Sequence, residues 1–556
     1  MKKLSFPMIG CMLALIVVLS ACAQAGGGAG GTAGTDGGAA APAAPAAGND
    51  AAAGAEAGEG TIGNYHFTKW VWGQFGGPSR QRISDFSENL AYMEKERITG
   101  VTIEWLHPPL GQEAEQFSLM MAALDLPDIL QGANHYRGGF QAGINDGVFI
   151  RLNELIEEHA PYYYSLINFN ADIRREAFTD QGYIQGFGMI NSEHFGDDWT
   201  PARENYWAGP FIRGDWLEEL GLSVPETIDE WTTALKAIRD TFDPEIVLSI
   251  QEDGFYGRHT AAHGAFVTAF GIGPYWYQVD GTVKWGPAQP EFRGFLELFH
   301  YWYSEGLIDP EFSARHADDV VAAAMRGELG ARQHSGTAFP LQLEPEGVLM
   351  VGAPYPRLNA ASGPVQFVSR NNWITGDAWT AITSVNAHPE AAVRWMDWNY
   401  SYEGLQLLNF GPRGVTFDEF NELGAPIYFE EWAPPNWDLN NDVFRIHNGP
   451  YLKSDLRANP RRTMMHLERF RQMWNEQMQA SSHWNLPPIT LTAEEGAESA
   501  TIMADANAFR DEMVIRFIIG DVPLSEFDNY LATMESFNVQ RAADIREAAL
   551  QRFLER

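Results

Sequence analysis

The hydrophobic and polar positions divide this chain into three stretches of different character. An apolar run from Ile9 to Leu19 follows two lysines near the start. Residues 23–61 then consist mainly of Gly, Ala and Pro and contain hardly any large apolar side chain. From Tyr65 onward, short β-rich segments alternate with amphipathic ones, which predicts a folded α/β body over the rest of the chain.

The alternation is clearest at the beginning of this body. Three predicted strands alternate there with two predicted helices: strand 66–72, helix 84–97, strand 101–105, helix 112–124 and strand 126–130. The strands are rich in β-forming side chains, and Gly100 supplies a stop signal for the first helix. This order predicts a parallel sheet whose strands are joined by crossover helices.

The N-terminal apolar run has the layout of a secretory signal, because it follows a positive charge and is too short for a stable membrane span. It ends in Leu19-Ser20-Ala21-Cys22, which resembles the bacterial lipobox. The resemblance implies cleavage before Cys22 and a diacylglycerol on its sulfur. An ordinary signal peptide with a chance cysteine is the alternative. The Gly/Ala/Pro stretch that follows has little to bury and is expected to be a flexible tether.

Composition limits the chemistry of the mature body. The two cysteines are Cys11 in the signal and Cys22 at the lipobox, so the body has no disulfide, thiolate nucleophile or Cys-ligated metal. The formal charge of −35, from 73 acidic and 38 basic residues, argues against a nucleic-acid partner, which needs clustered Lys and Arg. The two acyl chains, rather than this acidic surface, are expected to hold the protein at a membrane.

Several segments of the body carry a family pattern. They include Leu126-Pro127-Asp128-Ile129 with residues 147–156, then 211–227, 389–398, 491–495 and 517–531. Their order resembles that of extracellular solute-binding proteins of ABC importers, most closely the large oligosaccharide-binding lipoproteins of Gram-positive bacteria. Gly214 departs from the pattern, which has a basic residue there. The resemblance implies a two-lobed, periplasmic-binding-protein-like α/β fold, with parallel-type sheets flanked by helices and a ligand cleft between the lobes.

The resemblance and the element pattern together predict a domain division. Its parts are the signal peptide 1–21, the lipidated Cys and disordered linker 22–61, lobe 1 (62–185 with 348–385), lobe 2 (186–347 with 386–480), and a C-terminal helical segment (481–556) packed on the lobes. Gly182–Gly188 is short, extended and glycine-flanked, so we expect it to be a crossover between the lobes. Residues 348–356 are expected to form a strand that returns to lobe 1.

Aromatic residues are the most informative candidates for a binding site, because many of the 18 Trp fall in predicted loops or at strand ends. Ligands of parallel sheets lie beyond the strand C-termini, and an indole face can cover the apolar face of a sugar ring. The candidates are Trp70, Trp72, Trp207, Trp276, Trp373 and Trp379. Packing inside a lobe core is the alternative for each of them.

Four polar residues complete the candidate ligand-binding set. Asn134 follows the third strand, as a ligand-facing amide or as a simple turn residue. Arg213 and Asp215 form either a cleft pair that binds ligand hydroxyls or a structural ion pair in which Asp215 caps a helix. Arg413 stands in a predicted loop between glycines, where it either clamps the carboxylate of a uronic acid or is solvated.

The function implied by the resemblance is that of a lipid-anchored, extracytoplasmic substrate-binding component of an ABC transporter. Such a protein, expected to be a monomer, captures an oligosaccharide and delivers it to the permease subunits. No cofactor or metal is predicted, and the acidic segment 85–96 has Leu90 where a calcium loop needs glycine. The sequence lacks a Gly-x-Ser-x-Gly elbow, a Walker loop and a dinucleotide fingerprint, so no enzyme is predicted. A surface glycoside hydrolase or polysaccharide lyase is the alternative, since a glycosidase needs only two carboxylates.

Overall fold

The computed structural model of the chain describes residues 61–72, 82–109, 111–193, 200–203, 208–250, 264–335, 338–363, 372–421, 424–432, 443–446, 449–454 and 465–556. Cys22, Trp207 and the predicted signal peptide lie outside these residues, as does the predicted linker up to residue 60. The predictions made for them stay predictions.

The described residues contain strands and helices with the following bounds. The strands are β1 (Tyr65–Trp70), β2 (Val101–Leu106), β3 (Ile129–Gln131), β4 (Phe187–Glu193), β5 (Thr200–Pro201), β6 (Ala208–Arg213), β7 (Ile246–Ser249), β8 (Trp276–Val279), β9 (Thr282–Trp285), β10 (Leu329–Ser335), β11 (Met350–Gly352), β12 (Ile374–Ile382), β13 (Phe417–Phe420), β14 (Pro426–Tyr428) and β15 (Leu452–Ser454). The helices are α1 (Leu90–Thr99), α2 (Glu113–Ala123), α3 (Gly139–Asn145), α4 (Asn153–His159), α5 (Pro161–Ile167), α6 (Ala171–Ala177), α7 (Gly214–Leu220), α8 (Ile228–Phe242), α9 (Gly264–Val267), α10 (Phe292–Ser304), α11 (Ala317–Met325), α12 (Ala338–Leu343), α13 (Pro389–Asp397), α14 (Tyr402–Phe410), α15 (Met465–Ser481), α16 (Ala493–Ile519), α17 (Phe527–Ser536) and α18 (Val539–Glu555).

The first sheet is a seven-stranded mixed sheet with the order β15-β4-β12-β3-β1-β2, and β5 pairs with β4 beside this path. β1 is parallel to both β2 and β3, which confirms the predicted parallel start. β12 is antiparallel to β3 and to β4 and joins the two halves of the sheet. The predicted helix 112–124 forms as α2, whereas the helix predicted over 84–97 begins only at Leu90, as α1, which Gly100 caps in the left-handed conformation at φ 74°.

The second sheet has four strands in the order β11-β6-β10-β7. β10 is parallel to β7 and antiparallel to β6, and β6 is antiparallel to β11. The prediction that residues 348–356 return to lobe 1 is therefore wrong, because β11 pairs with β6 in the second sheet. Met350 supplies the physical reason, since its side chain is buried in the core beside that sheet. A short apolar pattern predicts a strand but does not specify the partner of that strand.

Each sheet has a hydrophobic core of its own, which we call the first core and the second core. α13 belongs to the first core through Ala392 and Trp395, although the sequence pattern places residues 386–480 in lobe 2. The predicted crossover at Gly182–Gly188 leads into β4, so it stays within the first sheet. The connection to the second sheet comes later, between β5 and β6.

α8 shows how the sequence builds the second core. The Thr227 hydroxyl accepts a hydrogen bond from the backbone N–H of Glu230, and the Glu230 carboxylate accepts one from the backbone N–H of Thr227, which completes a capping box. Trp231, Leu235 and Ile238 follow at helical spacing and are buried. Burial of side chains of this size contributes about 1.5–3 kcal/mol each, so this face fixes α8 on the sheet.

The C-terminal helices α16, α17 and α18 pack on the second core, to which Met503, Phe517, Tyr530 and Ala542 contribute. The end of α18 reaches the first-sheet side of the molecule, where Arg552 Nε donates to Asp180 Oδ2 at 2.9 Å. No helix among the described residues combines the length and the apolar character that a membrane crossing requires.

Two lysines are buried in the first core around one indole. Lys69 Nζ lies 5.2 Å from the ring centroid of Trp105 and 5.3 Å from that of Trp395. Lys95 Nζ lies 3.4 Å from the Trp395 centroid and donates to the Trp395 carbonyl at 2.9 Å. Burial lowers the pKa of Lys69 to about 7. The pKa of Lys95 is lowered well below its ordinary value, chiefly by burial and also by the charge of Lys69.

Candidate functional site

Two adjoining cavities lie between the first sheet and the elements that pack on the second core. One, which we call the charged cavity, has a volume of about 280 Å³. The other, which we call the neutral cavity, has a volume of about 380 Å³. Glu176 and Pro488 line both of them, which places the two side by side. Together they fall within the range of about 300–1,000 Å³ that small-molecule sites occupy.

The opposite walls of these cavities differ in chemistry. The first-sheet side supplies polar groups, from Asp172, Arg175 and Arg203 in the charged cavity and from Asn134 and Gln185 in the neutral cavity. The facing wall of the charged cavity combines apolar and polar residues, which are Leu486, Pro487, Pro488, Leu550, Phe553 and Leu554 together with Gln278, Ser482, His483 and Asn485. A lining that combines polar groups with apolar surface suits a ligand with hydroxyl edges and apolar faces.

α6 carries most of the charged wall. Its face with Ile173, Glu176 and Ala177 is buried, which leaves Asp172 and Arg175 on the other side of the helix, one turn apart. Arg175 Nη1 donates to Asp172 Oδ1 at 2.9 Å, and Arg203 Nη2 donates to Asp172 Oδ2 at 2.8 Å. One carboxylate therefore holds two guanidinium groups. The Nε of Arg175 is buried and has no hydrogen-bond partner among the described residues.

Arg203 is positioned by the segment that leaves the first sheet. β5 pairs with the end of β4, and the backbone N–H of Ala202 donates to the carbonyl of Asn191 at 2.9 Å. The Arg203 guanidinium lies 5.2 Å from the ring centroid of Trp373, within the range of a cation–π contact. Trp373 comes directly before β12, so two connected segments of the first sheet hold this guanidinium in place.

Glu176 stands in the partition between the two cavities and is only 6% exposed. Its Oε2 accepts hydrogen bonds from the backbone N–H groups of Trp373 and Ile374, each at 2.9 Å. Burial raises the pKa of Glu176 to about 8, although these hydrogen bonds and the charge of Arg203 oppose the shift. At neutral pH the partition is therefore mostly uncharged.

The turn after β3 shapes the neutral cavity. Gly132 has φ 85°, and a Cβ there would lie 2.5 Å from Cβ of Trp72, so only glycine lets this indole cover the turn. The Trp72 ring stacks on His135 with centroids 3.7 Å apart. Asn134, which lies between Gly132 and His135 in the turn, lines the neutral cavity. Its buried Oδ1 has no hydrogen-bond partner among the described residues. This oxygen is suited to accept a hydrogen bond from a ligand hydroxyl.

Two arginines at the end of α18 connect the facing wall of the charged cavity to the segment that follows α6. Arg556 Nε donates to Asp180 Oδ1 at 2.7 Å, and Arg556 Nη1 donates to the carbonyls of Phe178 at 2.8 Å and Arg175 at 3.1 Å. The Arg556 side chain is only 3% exposed. Arg552 also donates to Glu495 at the start of α16. These contacts hold the two walls of the charged cavity together at one edge.

The structure separates the predicted tryptophans into several environments. Trp379 is 6% exposed and lines the neutral cavity. Trp70 is 8% exposed in the first core, and its buried Nε1 has no partner among the described residues. Trp72 and Trp373 are half-buried beside the cavities, in the contacts described above. Trp276, on β8, lies under Arg546 with the guanidinium 4.0 Å from its ring centroid, and it does not belong to the described lining of either cavity, although Gln278 of the same strand lines the charged cavity.

The predicted charged residues lie elsewhere. Arg213 Nε and Nη2 donate to Asp215 at 2.8 and 2.6 Å, and its Nη1 donates to the carbonyl of Gly327 at 2.9 Å. The prediction that Asp215 caps the helix is wrong, because α7 begins at Gly214 and Arg213 is its N-cap. Arg413 is exposed, and its Nε donates to the carbonyl of Asp418 at 2.9 Å. None of the three belongs to the described lining of either cavity.

Sequence reasoning missed the charged wall. Asp172, Arg175 and Glu176 stand in a short polar helix, a pattern typical of a solvated face. Arg203 follows a two-residue strand that has no periodic signal. One signal was available for Glu176, which shares helical spacing with the apolar Ile173 and Ala177 and therefore the buried face.

The arrangement of two sheets with separate cores and cavities between them defines a class of protein. The fold is that of two-domain solute-binding proteins. A structure of the Streptococcus pneumoniae substrate-binding protein FusA in complex with kestose superposes with a TM-score of 0.70 at 19% identity, over 88% of this chain and 99% of that one. The alginate-binding protein AlgQ2 gives a TM-score of 0.69 at 22% identity over the same shares.

Sequence comparison finds homologues of the same kind. No family model matches the chain. The chain is 23% identical over 487 residues to the fructooligosaccharide ABC transporter substrate-binding protein FusA of Streptococcus pneumoniae, which covers 83% of this chain and 87% of FusA. It is 25% identical over 285 residues to the lipoprotein LipO of Bacillus subtilis, over 47% of this chain and 49% of LipO. FusA is thus named as the substrate-binding protein of an ABC transporter.

Proposed function

We propose that this protein is the substrate-binding component of an ABC importer and that it binds an oligosaccharide in the two adjoining cavities. The observation that carries the proposal is the position of these cavities between the two cores, with polar and apolar side chains together in the lining of each. The names of FusA and AlgQ2 point to carbohydrate ligands for both proteins, which supports the same class of ligand here. The proposed contacts are Asn134, Gln185 and Trp379 in the neutral cavity and Arg175 and Arg203 in the charged cavity.

The two walls explain how binding is converted into a signal for transport. A ligand between the first sheet and the C-terminal elements contacts both walls only when they are close together. Such a ligand has a higher affinity for the closed form and shifts the equilibrium toward it. The closed form is then recognised by the permease, and the ligand leaves the protein chemically unchanged.

The test is a binding measurement on the purified body, residues 62–556, with a panel of oligosaccharides. We expect at least one oligosaccharide to raise the melting temperature with ligand concentration and to bind at one site per chain in calorimetry. Asn134→Ala should weaken this binding about tenfold, because the hydroxyl that pairs with Oδ1 loses its partner. Asn529→Ala, which removes an exposed amide from α17, is the matched control and should leave the affinity unchanged.

Two results would contradict the proposal. If no member of a broad panel binds, the cavities are not a carbohydrate site. If new reducing ends accumulate during incubation, the protein is a glycosidase or lyase rather than a carrier. Recovery of the bound oligosaccharide at its original mass distinguishes a carrier from an enzyme.

We further propose that the protein works as a monomer at the outer face of the cytoplasmic membrane, held by a lipid on Cys22. Support comes from the lipobox-like sequence and from the similarity to LipO, which is named a lipoprotein. Expressed in a bacterial host, the full chain should partition into the detergent phase and Cys22→Ser should not. Equal partition of the two chains would contradict the lipid anchor and leave the proposed binding function intact.

A further inference from the structure

The charged cavity differs from the rest of this acidic molecule in its balance of charge. The chain has 73 acidic and 38 basic residues. In the described lining of this cavity, the titratable side chains are Asp172, Glu176, Arg175, Arg203 and His483. The cavity is therefore one place where basic side chains are not outnumbered, in a protein whose acidic groups exceed its basic ones almost twofold.

The two acidic groups of this lining are already engaged. Asp172 accepts from both guanidinium groups, at 2.9 Å from Arg175 and 2.8 Å from Arg203. Glu176 turns its Oε2 to the backbone N–H groups of Trp373 and Ile374, and burial raises its pKa to about 8. Among the described lining residues, one ionised carboxylate is thus shared by two permanent cations, so these side chains together carry a net positive charge at neutral pH.

The geometry of the arginines suits recognition of an anion. Arg175 keeps a buried Nε–H without a partner among the described residues, beside the Nη1 that holds Asp172. Arg203 is fixed between Asp172 and the face of Trp373, so little side-chain freedom is lost when a ligand binds. A planar guanidinium fork matches a carboxylate in shape, and such bonds are stronger than those between neutral groups.

The neutral cavity differs from the charged cavity in charge, and this difference would fix the orientation of a bound ligand. In its described lining Glu176 is the one titratable carboxylate, and the polar groups around it include the amides of Asn134 and Gln185 and the hydroxyls of Thr490 and Thr492. These groups pair with sugar hydroxyls and offer nothing to balance a charge. An oligosaccharide that extends across the partition therefore meets uncharged partners at one end and two arginines at the other.

On the basis of the proposed function, we propose that the charged cavity is a subsite for an acidic sugar unit, whose carboxylate binds Arg175 and Arg203. The oligosaccharide then carries a uronic acid at this position, and the neighbouring units lie in the neutral cavity. This assigns to Arg175 and Arg203 the role that the sequence pattern suggested for Arg413, which lies outside the described lining of both cavities.

The experiment compares ligands that differ only in charge, using calorimetry on the purified body. The probes are short oligogalacturonates, oligoglucuronates and oligoalginates, each beside its carboxyl-reduced neutral counterpart. We expect an acidic oligosaccharide to bind at least tenfold more tightly than its reduced form. This preference should fall as salt is raised, because the contact is charge-based. Neutral fructooligosaccharides extend the panel to ligands without any carboxylate.

Arginine variants locate the effect. Arg175→Gln and Arg203→Gln should each lose about tenfold in affinity for the acidic ligand and change little for its reduced form. Arg203→Lys should recover only part of the loss, since it restores the charge but not the fork. Arg239→Gln removes a comparably exposed arginine that pairs with Asp240 on α8, and it should leave both affinities unchanged.

The outcomes separate this proposal from the proposed function. Neutral ligands that bind as tightly as acidic ones, or more tightly, would overturn the acidic subsite and leave the oligosaccharide function standing. If no sugar of either kind binds, both proposals fail together. Should Arg203→Gln fail to fold, the acid-to-neutral ratio of the unaltered protein and its salt dependence still decide the question.

Discussion

Glu176 lends itself to a decisive test of the site, because its environment in the partition makes a pH-dependent contribution to stability. The carboxyl is 6% exposed and its pKa is raised from 4.5 to about 8 by burial. Between these two pH values the folded protein holds a proton that the unfolded chain has released. Folding stability must therefore fall as the pH rises through this window. Glu176→Gln removes the titration and keeps an acceptor for the N–H groups of Trp373 and Ile374.

The size of the effect follows from the shift. Each pKa unit corresponds to about 1.4 kcal/mol, so the full window amounts to about 5 kcal/mol. Between about pH 5.5 and about pH 8, Glu176→Gln should gain about 3 kcal/mol of stability relative to the unaltered protein. At the lower end of that range about 1.4 kcal/mol of the window is already lost, because pH 5.5 lies about one unit above the ordinary pKa of 4.5.

The assay is denaturant unfolding followed by tryptophan fluorescence at several pH values, without ligand. Glu158→Gln, an exposed position on α4, is the matched control, and its difference from the unaltered protein should not change with pH. A difference for Glu176→Gln that stays flat across this range would show that the carboxyl is ionised in the folded state. The net positive charge assigned to the charged cavity would then be wrong as well.

Three further substitutions test other parts of the structure. Lys69→Met should stabilise the protein by about 3–5 kcal/mol near pH 7, since burial lowers the lysine pKa to about 7. The gain should shrink as the pH rises toward about 10, where the unfolded chain loses its charge too, and melting temperatures at two pH values check this. Gly132→Ala should cost about 2–4 kcal/mol and change the near-UV circular dichroism, because the new Cβ meets Trp72 at 2.5 Å in a backbone with φ 85°. Trp474→Ala should cost about 3–5 kcal/mol in denaturant unfolding, because the side chain is fully buried and its indole donates to a backbone carbonyl at 2.7 Å.

The local elements of this fold were predictable because each rests on nearby residues. The predicted helix 112–124 forms as Glu113–Ala123, and the stop signal at Gly100 is the observed cap of α1. β1, β2 and β3 form where β-branched and aromatic side chains cluster. The pairing between strands that are distant in sequence was not predictable in this way. β11 has three residues, too few to carry a register preference, and its place in the second sheet depends on the burial of Met350.

The candidate residues show the same difference between local contacts and long-range packing. Trp379 lines the neutral cavity, but it lies on β12, which is antiparallel to β3 and β4, so the rule for the C-terminal ends of parallel strands does not explain its position. The Arg213–Asp215 pair instead serves the N-terminus of α7 and the Gly327 carbonyl in the second sheet. An arginine two residues from an aspartate satisfies itself locally, so proximity in sequence is weak evidence for a ligand contact.

The charged cavity could not be predicted from the sequence because no segment contains it. Asp172 and Arg203 are 31 residues apart and meet only after β5 has paired with β4. The polar face of α6 would be a solvated surface if α18 did not lie opposite it, and α18 is held there by Arg556 and Asp180, 376 residues apart. Removing Asp180 would leave Arg556 its hydrogen bonds to the carbonyls of Phe178 and Arg175, so it would weaken this attachment rather than abolish it. The charged cavity is a product of long-range packing, and its shape depends on the contacts that hold α18 as well as on the arginines of α6 and of the segment after β5.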